Sequence, residues 1–359
     1  MNAIAASSAS GAQPLPSVSV IMPVLDEERH LRDAVRQILA QDYPAPIEVV
    51  IALGPSSDDT DRIAAELVAE TAGSDREVRT VANPSGRTPA ALNAAIRGSR
   101  FPVIVRVDGH GLLTPGYIAT AVRLLDGKGA ANVGGVMHAE GETEWEKAVA
   151  AAMTSRIGVG NAAFHTGGEA APAHTVYLGV FRREVLERLG GYNEEFLRAQ
   201  DWELNYRIRQ QGGLIWFTPE LRVTYRPRPS VGALARQYRD YGRWRRVVSR
   251  YHRGSVSLRY LAAPVALLGV VLGLAGGVLL HPLLFALPGA YAALILLGSL
   301  REGRGLPPAA RAQLPLALAT MHMSWGWGFL TSPRSLARRV IASTVPVSGA
   351  VDSEGAAAR

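Results

Sequence analysis

The chain has 359 residues, with 38 Lys and Arg against 31 Asp and Glu, 48% apolar and 19% charged residues, and no cysteine. Charge is below the roughly 25% of an average soluble domain, and the apolar share is too high for intrinsic disorder. Without cysteine there is no disulfide framework, thiolate nucleophile, zinc ribbon or iron–sulfur cluster, so any metal must be held by Asp, Glu or His.

Residues 1–16 are small and polar, with neither a basic n-region nor a long apolar h-region, and read as a disordered leader. Val18 to Met22 is a short β-rich run. Leu31, Ala34, Val35, Ile38 and Leu39 then recur at helical spacing. Ile47 to Leu53 is a second strand, followed by a loop over Gly54 to Asp59 and a helical face at Ile63, Ala64, Leu67 and Val68. Val78 to Val81, a helix opened by Pro89, and Val103 to Val107 complete three β-α steps. Such alternation predicts a mostly parallel, doubly wound α/β sheet, in which ligands bind beyond the carboxyl ends of the strands.

The residues that follow those strand ends are therefore the candidates: Asp26 and Glu27, then Ser56 to Asp59, then Asp108 and His110. Asp108-Gly109-His110 places a carboxylate and an imidazole two residues apart on one side of an extended segment, where both could ligate one hard cation. A turn capped by Asp108 is the simpler alternative. Asn161 to Thr175, rich in Gly and Ala, reads as a mobile loop over the site, and its His165 and His174 have no ligand-spaced carboxylate.

Between Arg222 and Arg259 there are eleven Arg and one acid, Asp240, a local balance of +10 in a chain whose total is +7, so the remainder is net acidic. The runs 261–280 and 283–300 carry no charge, and each is long enough to cross a hydrocarbon layer of ~30 Å, with only His281 and Pro282 between them. A third apolar run, 314–331, contains His322, Ser324 and two Trp and could span, re-enter or lie at the interface. The Arg-rich flank before a membrane hairpin predicts a cytoplasmic side and attraction to anionic lipid. Nucleic acid is not expected, because the patch abuts the membrane segment and no nucleic-acid fingerprint accompanies it.

The series PVLDEE (23–28), EVVIALGPSSDDT (48–60), NPSGRTPAALNAAI (83–96), VRVDGH (105–110), GVFRREVLERLGGYNEEF (179–196) and AQDWELNYRIRQQG (199–212) resembles a family 2 glycosyltransferase of the GT-A fold, across roughly 17–250. Within that family the chain is most similar to the succinoglycan-type glucosyltransferases that extend lipid-linked exopolysaccharide units. The resemblance implies inverting transfer of a hexose from a nucleotide-sugar donor to a hydroxyl, with Mg2+ or Mn2+ as cofactor. Pro23, Asp26 and Glu27 would border the nucleotide, Asp58 would lie near the base or ribose, and Arg87 and Asn93 near the ribose and diphosphate. Asp108 would be the metal-side residue of the family's Asp-x-Asp motif, with His110 in place of the second Asp. Leu53-Gly54-Pro55 stands where many relatives carry Asp-Asp-Gly and use an Asp to recognise uracil, so a UDP-sugar is favoured but the base stays open.

Gln200-Asp201 occupies the family's Glu-Asp position, which implies Asp201 as general base; capping of the following helix is compatible with that role. Glu203 would orient the site or pair with an Arg. Gln237, Tyr241, Arg243 and Trp244 are similar to the Gln-x-x-Arg-Trp segment that lies by acceptor and diphosphate in processive relatives; the residue pattern alone equally fits an interfacial helix anchored by Trp244 and Tyr251.

The expected organisation is a leader (1–16), a GT-A domain (17–220), a basic interfacial segment (221–259), a membrane region (260–332) and a flexible tail (333–359). The expected setting is the inner cell membrane, multi-pass, with a cytoplasmic catalytic domain, membrane lipids as partners and a lipid-linked glycan of the cell envelope as acceptor. Transfer of one sugar to polyprenyl phosphate, a nucleotidyltransferase, or a non-catalytic sugar-nucleotide-binding protein are the alternatives. Retention of Asp201 argues against the last of these.

Overall fold

The computed structural model describes residues 14–344; residues 1–13 of the leader and 345–359 of the tail lie outside the described residues. The first half follows the predicted alternation. In order come β1 (Val18–Val24), α1 (Leu31–Leu39), β2 (Ile47–Leu53), α2 (Thr60–Thr71), β3 (Arg76–Ala82), α3 (Thr88–Gly98) and β4 (Val103–Arg106). The strands pair in parallel as β3-β2-β1-β4, with Val20 level with Val49 on one side and Val105 on the other. Alternate residues feed opposite faces: Val18, Val20 and Met22 pack with α1 and α2, whereas Ile21 packs with Ala91, Leu92 and Ala95 of α3.

The second half comprises β5 (Leu112–Leu113), α4 (Tyr117–Gly127), β6 (Asn132–Ala139), α5 (Glu144–Thr154), the short α6 (Arg156–Val159) and α7 (Ala163–Thr166), and β7 (Ala171–Pro172). Then follow β8 (Tyr177–Arg182), α8 (Arg183–Arg188), α9 (Gln200–Gln210) and β9 (Ile215–Tyr225). These strands extend the sheet past β4 as β8-β6-β9-β5, with β7 beside β9. β8 runs antiparallel to both β4 and β6, whereas β6 and β9 are parallel, so the sheet is mixed and mostly parallel. β9 continues through the boundary expected at residue 220, because Leu221, Val223 and Tyr225 are buried in register with β6.

Among the described residues, four helices follow α10 (Val231–Tyr251): α11 (Ala262–Leu279), α12 (Ala286–Glu302), α13 (Pro308–Leu330) and α14 (Arg334–Thr344). Among the described residues, two helices are long and apolar enough to cross a membrane: Leu258–Leu279, with mean hydropathy 2.2, and Pro282–Glu302, with 2.0. Large residues such as Leu272, Val278 and Leu297 are exposed on them. α13, which covers the third apolar run, is different. Leu314, Ala317, Leu318 and Met321 are fully buried against α5 and α10.

α10 and α13 approach so closely that backbone meets backbone. A Cβ at Gly242 would lie 2.0 Å from the carbonyl oxygen of Trp325, and one at Gly328 would lie 1.9 Å from that of Arg239. α10 thus joins the sheet domain to the apolar helices. The tail expected from 333 is partly ordered as well: Ala337 and Val340 of α14 pack with Trp244, Val247 and Val248, which gives that segment an apolar partner.

Candidate active site

At the carboxyl ends of β1 and β4 the two strands are still hydrogen-bonded, with the Val107 amide donating to the Ile21 carbonyl at 3.1 Å. That pairing sets the loop carrying Asp108 and His110 beside the loop carrying Glu27. The third contribution comes from the first turn of α9. Its N-cap is Ala199, held at a left-handed φ of 63°, so Asp201 is the second helical residue and not the cap.

Arg106, the last residue of β4, is 3% exposed and holds these parts together. Its Nε and Nη2 donate to Asp108 Oδ1 at 3.2 and 3.1 Å, and its Nη1 donates to Asp201 Oδ1. The remaining oxygen of each carboxylate, Oδ2, has no hydrogen-bond partner among the described residues. Burial works against the Arg106 charge, but Asp108 and Asp201 outweigh it and hold its pKa well above the ordinary value. Burial raises the pKa of Asp201, with Asp108 acting in the same direction, and Arg106 only partly opposes them. A carboxylate of raised pKa is a better proton acceptor than a free one.

His110 Nδ1 lies 2.7 Å from Glu27 Oε1, and this contact, ahead of the opposing effect of burial, raises the imidazole pKa. The Glu27 amide donates to Thr60 Oγ1 at 2.8 Å, which fixes the loop. With Nδ1 turned to Glu27, Nε2 is the ring nitrogen that faces away from the carboxylate, the arrangement by which a carboxylate orients a metal-binding histidine.

These groups share one cavity of about 1220 Å3. Of the residues singled out by sequence, Pro23, Glu27, Asp108, His110, Gln200, Asp201 and Gln237 line it, as does Tyr241. Gln237 is oriented by the hydroxyls of Tyr225 and Tyr241, to which its Nε2 donates at 2.7 and 2.8 Å.

The other candidates do not line that cavity. Asp26, at φ 54°, accepts from the Ser57 amide at 2.7 Å, and Asp58 accepts from Glu28 and Thr60, so the pair fastens the β1 and β2 loops together. Asn93 is buried and bonds both the amide and carbonyl of Tyr192, while Arg87 pairs with Glu195; both hold the chain leading to α9. Glu203 is fully buried and bonded to Arg207 and His252. Trp244 is packed against Phe196 at 6.1 Å between ring centroids, and Arg243 lies off the cavity. The aromatic and basic residues that α10 does present there are Tyr238, Tyr241, Arg236 and Arg245.

Part of the 161–175 stretch lines the cavity through Ala162, Phe164, His165 and Thr175. Burial, with Arg259 nearby, pushes His165 down to about 3, so that imidazole stays neutral. Sequence reasoning passed over Arg106. A charged residue at the end of the buried run Val103–Val105 was the available signal, because such a group needs a partner.

Residues 16–246, more than half the chain, match the family model described as glycosyltransferase like family 2. The chain is 30% identical over 333 residues to the succinoglycan biosynthesis protein ExoA of Rhizobium meliloti (strain 1021), covering 89% of this chain and 96% of the relative. A Methanococcus voltae dolichyl N-acetyl-alpha-D-glucosaminyl phosphate 3-beta-D-2,3-diacetamido-2,3-dideoxy-beta-D-glucuronosyltransferase is 21% identical over 232 residues, 63% of this chain and 71% of that one. In structure, the chain is similar to the mannosyltransferase PcManGT from Pyrobaculum calidifontis, solved with GDP-Man and Mn2+, with TM-score 0.53, 21% identity and 86% of both chains covered. Together with the mixed sheet and the carboxylates at its strand ends, these matches make the chain a member of glycosyltransferase family 2, an enzyme of the GT-A fold.

Proposed function

We propose that this glycosyltransferase moves a sugar from a nucleotide-sugar donor to a hydroxyl of a lipid-linked glycan, with inversion, during assembly of an exopolysaccharide or related envelope polymer. The observation that carries the reading is the cavity wall, in which Asp108 and Asp201 occur together with Ala263 and Ala266 of α11 and Leu294 of α12. A water-soluble acceptor has no need of such apolar neighbours. The 30% identity to a succinoglycan biosynthesis protein supports the same acceptor class. The Arg-rich approach to α11 favours placing the sheet domain on the cytoplasmic side of the cell membrane, with the His281-Pro282 turn outside.

In this reading Asp201 Oδ2 accepts the proton of the acceptor hydroxyl as its oxygen attacks the anomeric carbon, and the bond to the nucleoside diphosphate breaks on the opposite face. No enzyme nucleophile is required. Arg106 holds Asp201 through its other oxygen, so the proton acceptor does not wander.

Asp108 Oδ2 and His110 Nε2 are the atoms that would hold a divalent cation, whose remaining ligands would come from diphosphate and water. Among the described residues no group of three or more His, Asp or Glu side chains is placed to hold a metal ion, so diphosphate and water would have to complete the coordination. The solved mannosyltransferase carries Mn2+, which favours a divalent cation here too. When bound, the cation neutralises charge on the departing diphosphate.

The test is to incubate membranes containing the chain with UDP-, GDP- and TDP-sugars and to examine the lipid extract for new glycolipids. A donor-dependent, lipid-extractable product supports the reading. Sugar appearing only in water-soluble products contradicts it.

A further inference from the structure

Arg245 is 7% exposed, lines the cavity, and has no carboxylate partner among the described residues. Its Nη2 is buried with no hydrogen-bond partner. The guanidinium carbon lies 3.9 Å from the ring centroid of Trp202 and 3.6 Å from that of Tyr260. Packed over both rings, the planar group still leaves Nη2 as a donor without a partner among the described residues. Burial pushes its pKa down to about 10; Tyr260 opposes this, and Arg259 adds to it. A buried cation with an unfilled donor is costly unless something anionic meets it.

The surroundings say which anion. Trp202 follows Asp201 in the chain, and Tyr260 lies at the start of the apolar helix Leu258–Leu279. Arg156 and Arg259 line the same cavity, also without carboxylate partners among the described residues. The apolar part of the wall comes from Ala263, Ala266, Leu294 and Trp325. A group with phosphate oxygens at one end and hydrocarbon at the other satisfies both parts, and a nucleoside diphosphate satisfies only the first.

We propose that Arg245 is the seat of the phosphate or diphosphate of a prenyl-linked acceptor, whose hydrocarbon lies against α11, α12 and α13. This rests on the lipid-linked acceptor reading and adds to it a residue and a subsite separate from the donor's place at Asp108. Arg is suited to the task because its fork can grip two phosphate oxygens at once.

Farnesyl diphosphate is the probe, titrated by calorimetry against the full chain in nanodiscs lacking prenyl lipids, with UDP and GDP titrated in parallel. In Arg245→Gln, farnesyl diphosphate affinity should fall about 10-fold or more, from loss of a charged hydrogen-bond donor, while UDP and GDP affinities change less than about 2-fold. Equal farnesyl diphosphate affinity in the variant would overturn the proposal. Loss of UDP or GDP affinity in its place would assign Arg245 to the donor and overturn it too. Failure of the unaltered chain to bind farnesyl diphosphate would overturn both this proposal and the lipid-linked acceptor itself, whereas binding that ignores Arg245 spares the latter. If Arg245→Gln does not melt cooperatively, Arg245→Lys replaces it. Charge is kept and the fork lost, so affinity for farnesyl diphosphate alone should still fall several-fold, and unchanged affinity would count against the proposal.

Discussion

Arg106 donates to Asp201 Oδ1 across 95 residues of sequence, and the same guanidinium holds Asp108 Oδ1 at 3.1 Å. The carboxylate assigned to the donor side and the one assigned to the acceptor proton are thus fixed by one buried cation, each with one oxygen left for its own task.

Removing that cation leaves two carboxylates facing each other. Arg106→Met should cost about 3 kcal/mol of stability, because it breaks a buried ion-pair group while leaving its partners in place. Transfer should be lost as well. Denaturant unfolding of the detergent-solubilised variant measures the first effect, and an unchanged midpoint would mean that the bridge contributes nothing.

Glu203 provides a pH test. Burial alone would raise its pKa, but hydrogen bonds from His252 and Arg207 outweigh it and hold the carboxyl below its ordinary value. A depressed folded-state pKa means that the stabilisation is complete above the unfolded value, about 4.3, and is lost as pH falls through the folded one. Unfolding free energy should therefore drop below about pH 4.5, and Glu203→Gln should flatten that part of the profile. A variant with the same acid limb as the parent would remove Glu203 as its source.

The cation site predicts that chelation abolishes transfer and that Mn2+ or Mg2+ restores it. His110→Asp, which keeps a ligand, should retain more activity than His110→Ala. Glu27→Gln should raise the cation concentration needed for half-activity by about 10-fold or more, because the imidazole loses the carboxylate that orients it. Full activity in excess chelator would defeat the assignment.

The parallel half of the sheet was legible because its strands are near-continuous apolar runs and its helices carry one apolar face. Past β4 the legibility ends. β8 pairs with both β4 and β6, and β5 and β7 are two residues each, too short for any period. The site divides in the same way. Glu27, Asp108, His110 and Asp201 follow strand ends or carry family motifs, and they meet in the cavity. Asp58, Arg87 and Asn93 stand in the same motifs yet bond to neighbouring loops, a distinction set by contacts between distant segments. On α10 the motif directed attention to Arg243 and Trp244, whereas the close approach of Gly242 to α13 turns Trp244 into the Phe196 core and leaves Arg245 on the cavity wall.

The most direct test of the account is Asp201→Asn, with donor affinity and transfer rate measured on the same preparation. Asn keeps the size of the side chain and an oxygen for Arg106 but cannot accept a proton. Transfer to a glycan hydroxyl should slow by about 10² to 10⁴ while nucleotide-sugar affinity stays within a few-fold. If the acceptor were a polyprenyl phosphate, already an anion, the same change would cost far less. Near-normal transfer in Asp201→Asn would contradict the account; a large loss of rate with donor binding intact is what it predicts.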